Sequence, residues 1–140
     1  MMLAVLQAGK AVQARLSWPL AARHALSLSE VDVLANLSRA PEGTLRMSRI
    51  SDALITNRTA ITRLIDGLET KGLVERQALS GDRRAVNAVI TDLGRARFRE
   101  VCPFLEEELR RELGDVLSDR ETVDLSSGLA KILGRLGGGP

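Results

Sequence analysis

In 140 residues the chain has one cysteine, one histidine, one tryptophan, two phenylalanines and no tyrosine. A lone thiol, Cys102, excludes a disulfide framework within one chain and fits a reducing compartment. With one histidine and one cysteine there is no nucleophile-and-base set and no metal-ligand cluster, so the chain reads as a non-enzyme without metal or cofactor. Trp18, Phe98 and Phe104 are too few to stack single-stranded bases, which argues against that mode of nucleic-acid binding. No apolar run approaches the roughly 20 residues that cross a bilayer. The N-terminal run Met1 to Leu6 lacks the basic start and cleavage site of a signal peptide. The expectation is a cytoplasmic protein with no membrane partner.

What remains is ordinary for a globular domain: 44% hydrophobic and 27% charged residues, in a length that suits one domain with a real core. The charge is not evenly spread. Residues 1–45 hold four basic and three acidic side chains, 46–99 hold eleven and six, and 100–140 hold five and nine. Positive charge therefore gathers on the middle segment, as expected when one lobe faces phosphates.

That segment reads as two short helices, a basic hairpin and the start of a third helix. Ser48 is an N-cap candidate for a first helix through Leu54. A break at Ile55-Thr56-Asn57 offers two further caps, and a second helix runs to about Lys71 with Ile61, Leu64, Ile65 and Leu68 as its core stripe. Arg58, Thr59, Thr62, Arg63 and Asp66 fall largely on the opposite side. Gly72 supplies a left-handed helix end. Leu73 to Gln77 and Ala85 to Thr91 alternate as two half-buried strands, with residues 78–84 as the loop and a Ser-Gly-Asp turn signal before two arginines. Guanidinium groups fork onto guanine acceptors or phosphates, and threonine offers a hydroxyl and a methyl to base edges. The segment thus carries the chemistry of a winged helix-turn-helix addressing neighbouring grooves of duplex DNA.

The run Leu45 to Leu54, then Asn57 to Arg76, with Thr62-Arg63-Leu64 and Lys71-Gly72-Leu73-Val74, then Asp82-Arg83-Arg84-Ala85 and Thr91-Asp92-Leu93-Gly94, resembles the MarR family of bacterial transcriptional regulators. The resemblance implies a mostly α fold with a small β-hairpin (α+β), in the order helix, helix, strand, helix, helix, strand, strand, helix, helix. It covers the whole chain, 1–140, and divides it into a DNA-binding lobe over 29–99 and a helical dimerisation region over 1–28 and 100–140. Two positions depart from the family pattern: Gly67, where a basic residue is frequent, and Leu79, where an acidic one is.

The flanking segments are helical. Residues 2–25 form one helix with Leu3, Leu6, Val12, Leu16 and Leu20 apolar, which Pro19 should kink or force to restart at Ser17. Ser29, with an acidic residue three positions on, should cap the next helix, which Val33, Leu34 and Leu37 carry to about Arg39. Residues 40–43 form a turn, and Thr44 to Met47 a short strand able to pair with the wing. Thr91 or Asp92 caps a long helix along Phe98, Val101, Leu105, Leu109 and Leu113, bent near Arg99 by Pro103. A last helix after Ser118 carries Leu125, Leu129, Ile132, Leu133 and Leu136, and Gly137 to Pro140 is a frayed end. These terminal helices are apolar over more surface than a small lobe can cover, which points to a second copy of the chain.

Asn57, Arg58, Thr59, Thr62 and Arg63 are the recognition-helix candidates, with Arg58, Thr59, Thr62 and Arg63 reading bases. On the wing, Arg84 is expected in the minor groove and Arg83 on a phosphate, with Asp82 bracing Arg84 and Asn57 assisting. Arg46, Arg49, Arg76 and Arg95 fit phosphate contacts and plain solvation equally well. In the family a small aromatic acid binds between the first helices and the DNA-binding lobe, so Arg15, Trp18, Arg23 and His24 are candidates for an effector pocket. Cys102, beside Pro103 and without a resolving partner, is expected to be buried structurally rather than redox-active. The function that follows is a homodimeric, sequence-specific double-stranded DNA-binding regulator on a pseudo-palindromic operator, most simply a repressor, with a small aromatic or phenolic acid as the candidate effector and core or dimer packing of Trp18 as the alternative to a pocket. The alternative is a winged-helix module for protein association, since fold alone does not set function.

Overall fold

The computed structural model describes residues 1–54, 57–79, 82–114 and 116–136. Among the described residues six α-helices and three strands follow one another as α1 (Met2–His24), α2 (Leu28–Arg39), β1 (Thr44–Arg46), α3 (Met47–Ala53), α4 (Arg58–Thr70), β2 (Val74–Leu79), β3 (Asp82–Ile90), α5 (Asp92–Leu113) and α6 (Asp119–Leu136), with a 3-10 turn (Pro41–Gly43) before β1. The antiparallel sheet has the order β1-β3-β2, so the wing's second strand is central and the short strand pairs with it as Thr44↔Val89, Leu45↔Ala88 and Arg46↔Asn87. This is the expected element order.

Local chemistry moves several boundaries. Ser27, not Ser29, caps α2: its hydroxyl accepts from the Glu30 amide at 3.1 Å while the Glu30 carboxylate accepts from the Ser27 amide at 2.8 Å. The Ser-x-x-Glu box satisfies two free donors at once, which a single cap cannot. Helix α3 starts at Met47 without a side-chain cap, because pairing with Asn87 holds Arg46 extended up to the helix's first residue. Helix α1 runs unbroken through Pro19, and Ser17 sits inside it with its hydroxyl donating to the Gln13 carbonyl at 2.6 Å. No restart occurs: Leu16 and Leu20 are buried on either side of the proline, and that packing offsets one lost hydrogen bond. Helix α5 likewise continues through Pro103. The wing strands are longer than the alternation suggested, pairing as far as Leu79↔Asp82 with an irregularity at Ala78/Leu79. Ladder bonds are made by the backbone, so charged residues 82–84 extend the ribbon as well as apolar ones would.

The core lies between α2, α4, α5 and the sheet, built from Val33, Leu34, Leu37, Ile50, Ile61, Ile65, Leu68, Val74, Ala88 and Val101, with Leu20 from α1 joining it. On α4, Ile61, Ile65 and Leu68 are buried at i, i+4 and i+7 and contribute about 1.5–3 kcal/mol each.

Two polar junctions fix how α4 and α5 sit on this core. Lys71, the C-cap of α4, places its ammonium 2.7 and 2.8 Å from the two oxygens of Glu30 and 2.8 Å from the carbonyl of Ala25, where α1 ends in a left-handed residue. Glu30 is only 8% exposed, so the carboxylate end of the pair stands largely out of water while the Lys71 end reaches solvent. Gly67 leaves the room it needs, since a Cβ there would stand 3.1 Å from the Glu30 carboxylate. Beyond Lys71, Gly72 turns the chain at φ 71°, and the Thr91 hydroxyl donates to its carbonyl at 2.8 Å while accepting the Gly94 amide at 3.0 Å as the cap of α5. Gly94 lies directly on the Leu73 carbonyl, where any side chain would collide. The Lys-Gly-Leu and Thr-Asp-x-Gly signatures therefore form one contact.

Replacing Lys71 with methionine keeps the aliphatic stem but leaves Glu30 without its cation. Because Lys71 is itself partly exposed, the expected loss is about 2–3 kcal/mol in urea denaturation, and less for Glu30→Gln, which keeps the cap. Equal stability of wild type and Lys71→Met would show that the pair holds nothing. A second prediction concerns α6. Glu121 accepts from the Ser118 hydroxyl and amide, which lowers its pKa, so the cap stabilises α6 fully above the ordinary glutamate value and is lost as pH falls through the lowered one. Ser118→Ala, which keeps the amide but not the hydroxyl, should reduce that pH dependence of amide exchange in the first turn of α6, and Glu121→Gln should remove it.

Candidate nucleic-acid interface

Helix α4 begins where the Asn57 side chain accepts the Ala60 amide at 2.8 Å. With Ile61, Ile65 and Leu68 buried, the 3.6-residue repeat sends Arg58, Thr59, Thr62 and Arg63 outward, and all four are exposed. Asn57 is exposed too, but its carbonyl oxygen is committed to the cap. Thr62 donates its hydroxyl to the Arg58 carbonyl at 2.9 Å.

The exposed face forms a ridge between two concavities. Arg58 and Thr62 line a groove of about 520 Å³ shared with Arg46, Met47 and Ser48 and with Ala85 and Val86 of the wing strand. Thr59 and Arg63 line a more open groove of about 940 Å³, bounded by Gln13 of α1 and by Ser27, Ser29 and Asp32 around the start of α2. Among the described residues Arg46, Arg49, Arg58 and Arg63 make no ion pair, so four cations lie free around the helix. The side chains of Leu79, Asp82, Arg83 and Arg84 lie outside the described residues, as does the turn at Ser80 and Gly81. The proposed Asp82–Arg84 brace and the wing-tip contacts of Arg83 and Arg84 fall there.

Arg76 is neither free nor simply solvated. From β2 its guanidinium pairs with Asp66 at 2.7 Å and with Glu69 and donates to the Thr62 carbonyl at 3.1 Å, while its amide donates to Glu69 at 2.9 Å. The missed signal was spacing: residues 62, 66 and 69 share one stripe of a helix, and a basic residue shortly beyond the glycine turn can return to it. Arg95 packs against Gly43 beside the 3-10 turn.

The four effector candidates are not brought together within one chain. Trp18 is 77% exposed and Arg23 is exposed. Arg15 lies 3.7 Å from Glu112 of α5 and lines a small cavity of about 240 Å³ with Leu16, Leu109 and Leu113, to which Trp18, Arg23 and His24 do not contribute. His24 is mostly buried, its ring 4.6 Å from that of Phe104. Cys102 is half-buried rather than enclosed; burial, then the nearby Glu106 carboxylate, push its thiol up, against a partial pull from Arg39. That disfavours the reactive thiolate.

Comparison with known proteins places this arrangement. A family model described as the MarR family matches residues 25–85. The transcriptional regulator PecS of Dickeya dadantii is 36% identical over 116 residues, covering 81% of this chain and 66% of PecS. The regulator MhqR of Bacillus subtilis is 31% identical over 112 residues, covering 80% and 74%. This chain belongs to the MarR family. It spans 58 to 66% of the length of several curated relatives. A MarR family regulator from Streptomyces coelicolor, solved in complex with DNA, shares the fold with a TM-score of 0.79 at 21% identity, over 96% of this chain and 84% of that one. MarR proteins are transcriptional regulators, not enzymes. No helix among the described residues is long and apolar enough to cross a membrane.

Proposed function

We propose that this MarR protein is a homodimeric, sequence-specific regulator of transcription that binds double-stranded DNA at a pseudo-palindromic operator, most simply as a repressor. The observation that carries the reading is the outward face of α4, where Arg58, Thr59, Thr62 and Arg63 stand exposed on a helix anchored by its opposite stripe. Such a helix enters the major groove by its N-terminal half, where Arg63 can fork onto guanine and the threonines can reach neighbouring base edges. The adjoining hairpin, with Arg83 and Arg84 in its sequence, supplies the wing: Arg84 to the minor groove, Arg83 to a phosphate. Arg46 and Arg49 flank the same surface and suit phosphates.

Pairing is supported by α6. It contains no buried residue, and Val123, Leu125, Leu129, Ile132, Leu133 and Leu136 are all exposed, as are Leu3, Val5 and Leu6 of α1. Apolar surface of this extent calls for a partner, and a second copy places two α4 helices on successive major grooves about 34–36 Å apart. A small aromatic or phenolic acid is the proposed effector class. The open groove beside Arg63 adjoins both α4 and α1, so an occupant there would compete with DNA or shift the helix.

Arg63→Ala should cost about 1–3 kcal/mol on the operator and blur its sequence preference, whereas Arg49→Ala should weaken all duplexes alike. Fluorescence anisotropy with a duplex selected from a random pool and its scrambled version measures both. Equal affinity of the wild type for the two duplexes at every salt concentration would remove the specificity. Paired substitutions Leu129→Arg and Leu133→Arg should shift the sedimenting species from dimer to monomer.

A further inference from the structure

One of the three arginines lining the groove between helix and wing, Arg76, is already spoken for. Arg76 reaches from β2 across to α4 and binds it at three heights along one stripe: the Thr62 carbonyl at 3.1 Å, Asp66 at 2.7 Å and Glu69, which also accepts the Arg76 amide at 2.9 Å. Thr62 is itself one of the proposed readers, and Arg58, whose carbonyl accepts the Thr62 hydroxyl, lines the same groove. Arg76 pairs in the ladder with Ala88, a fully buried residue of the central strand, so its backbone cannot drift.

We propose that Arg76 is a positioning residue for DNA recognition: its guanidinium, shared by Asp66, Glu69 and the Thr62 carbonyl, sets the angle between reader helix and wing, and it does not bind phosphate. The inference rests on the DNA-binding reading above and deepens it. Two carboxylates face one guanidinium, which leaves no positive charge to offer a phosphate. One guanidinium nitrogen on each carboxylate, together with the Thr62 carbonyl contact and the Arg76 amide on Glu69, fixes direction as well as distance, which a lysine's point charge would not. Helix and wing must enter adjacent grooves simultaneously, so an error in their mutual angle is paid in sequence discrimination more than in general attraction for DNA.

The positioning role and a phosphate contact predict opposite results for Glu69→Gln. If Arg76 positions, weakening its hold lowers the ratio of affinities for the selected and scrambled duplexes, by about tenfold, with little change in the slope of log affinity against log salt. If Arg76 is a phosphate ligand held back by Glu69, the same change frees it, affinity for both duplexes rises together and the salt slope steepens by about one. Arg76→Lys should keep the charge and lose the discrimination. An arm without DNA separates this inference from the function it rests on. Amide exchange in Val74–Ala78 and in the second half of α4 should quicken in Glu69→Gln, and unchanged protection there, or unchanged discrimination, would overturn the positioning role. A wild type that failed to discriminate would instead count against DNA recognition itself, while the exchange arm would still decide whether Arg76 holds helix to wing.

Discussion

The Glu30–Lys71 pair is the constraint on which the placement of α4 depends. It joins the end of α4, through Lys71, to the turn between α1 and α2 more than forty residues earlier, through the Ala25 carbonyl and Glu30 at the capped start of α2. A largely buried carboxylate cannot stand without its cation, so the pair commits the chain to one relation between these ends. Immediately downstream, Gly72 and Leu73 receive Thr91 and Gly94, which fixes where α5 leaves the sheet. Both ends of the winged lobe are thereby tied to helices whose outer faces lack partners in the monomer.

The arrangement divides labour along α4. Its apolar stripe anchors, the stripe of Thr62, Asp66 and Glu69 faces the wing through Arg76, and the remaining surface with Arg58, Thr59 and Arg63 is left to solvent. A thirteen-residue helix held on two sides presents its third side with little freedom. Any shift of α1 or α2 would reach α4 through Ala25 and Glu30. That gives the proposed effector a physical route, since a groove bounded by α1, α2 and α4 can alter the same relation.

Much of this was legible in the sequence because period and punctuation agree. The stripe of Ile61, Ile65 and Leu68, the Asn57 cap, the Gly72 turn and the Thr91 cap each state a local rule that the tertiary structure keeps. What was not legible is long-range. Ser27 outcompeted Ser29 because Glu30 is needed both for the cap and for Lys71, 41 residues away. Gly67 stood out as a departure from the family's basic residue, and the Glu30 carboxylate, 3.1 Å from where its Cβ would stand, gives the absent side chain a reason. Pro19 marked a break that packing of Leu16 and Leu20 carried through. The candidate effector residues share a segment but point to different surroundings, Trp18 to solvent and His24 to Phe104. Exposed positions on a helix are set by its periodicity; side-chain convergence across elements is not.

The central claim is that two copies of one rigidly held reader face the same side of a double helix. Hydroxyl-radical footprinting of the protein on its selected duplex measures this most directly. Two protected backbone patches are expected on one face of the DNA, related by a two-fold axis and separated by about one helical turn of 34–36 Å. A single patch, or uniform weak protection along the duplex, would contradict it.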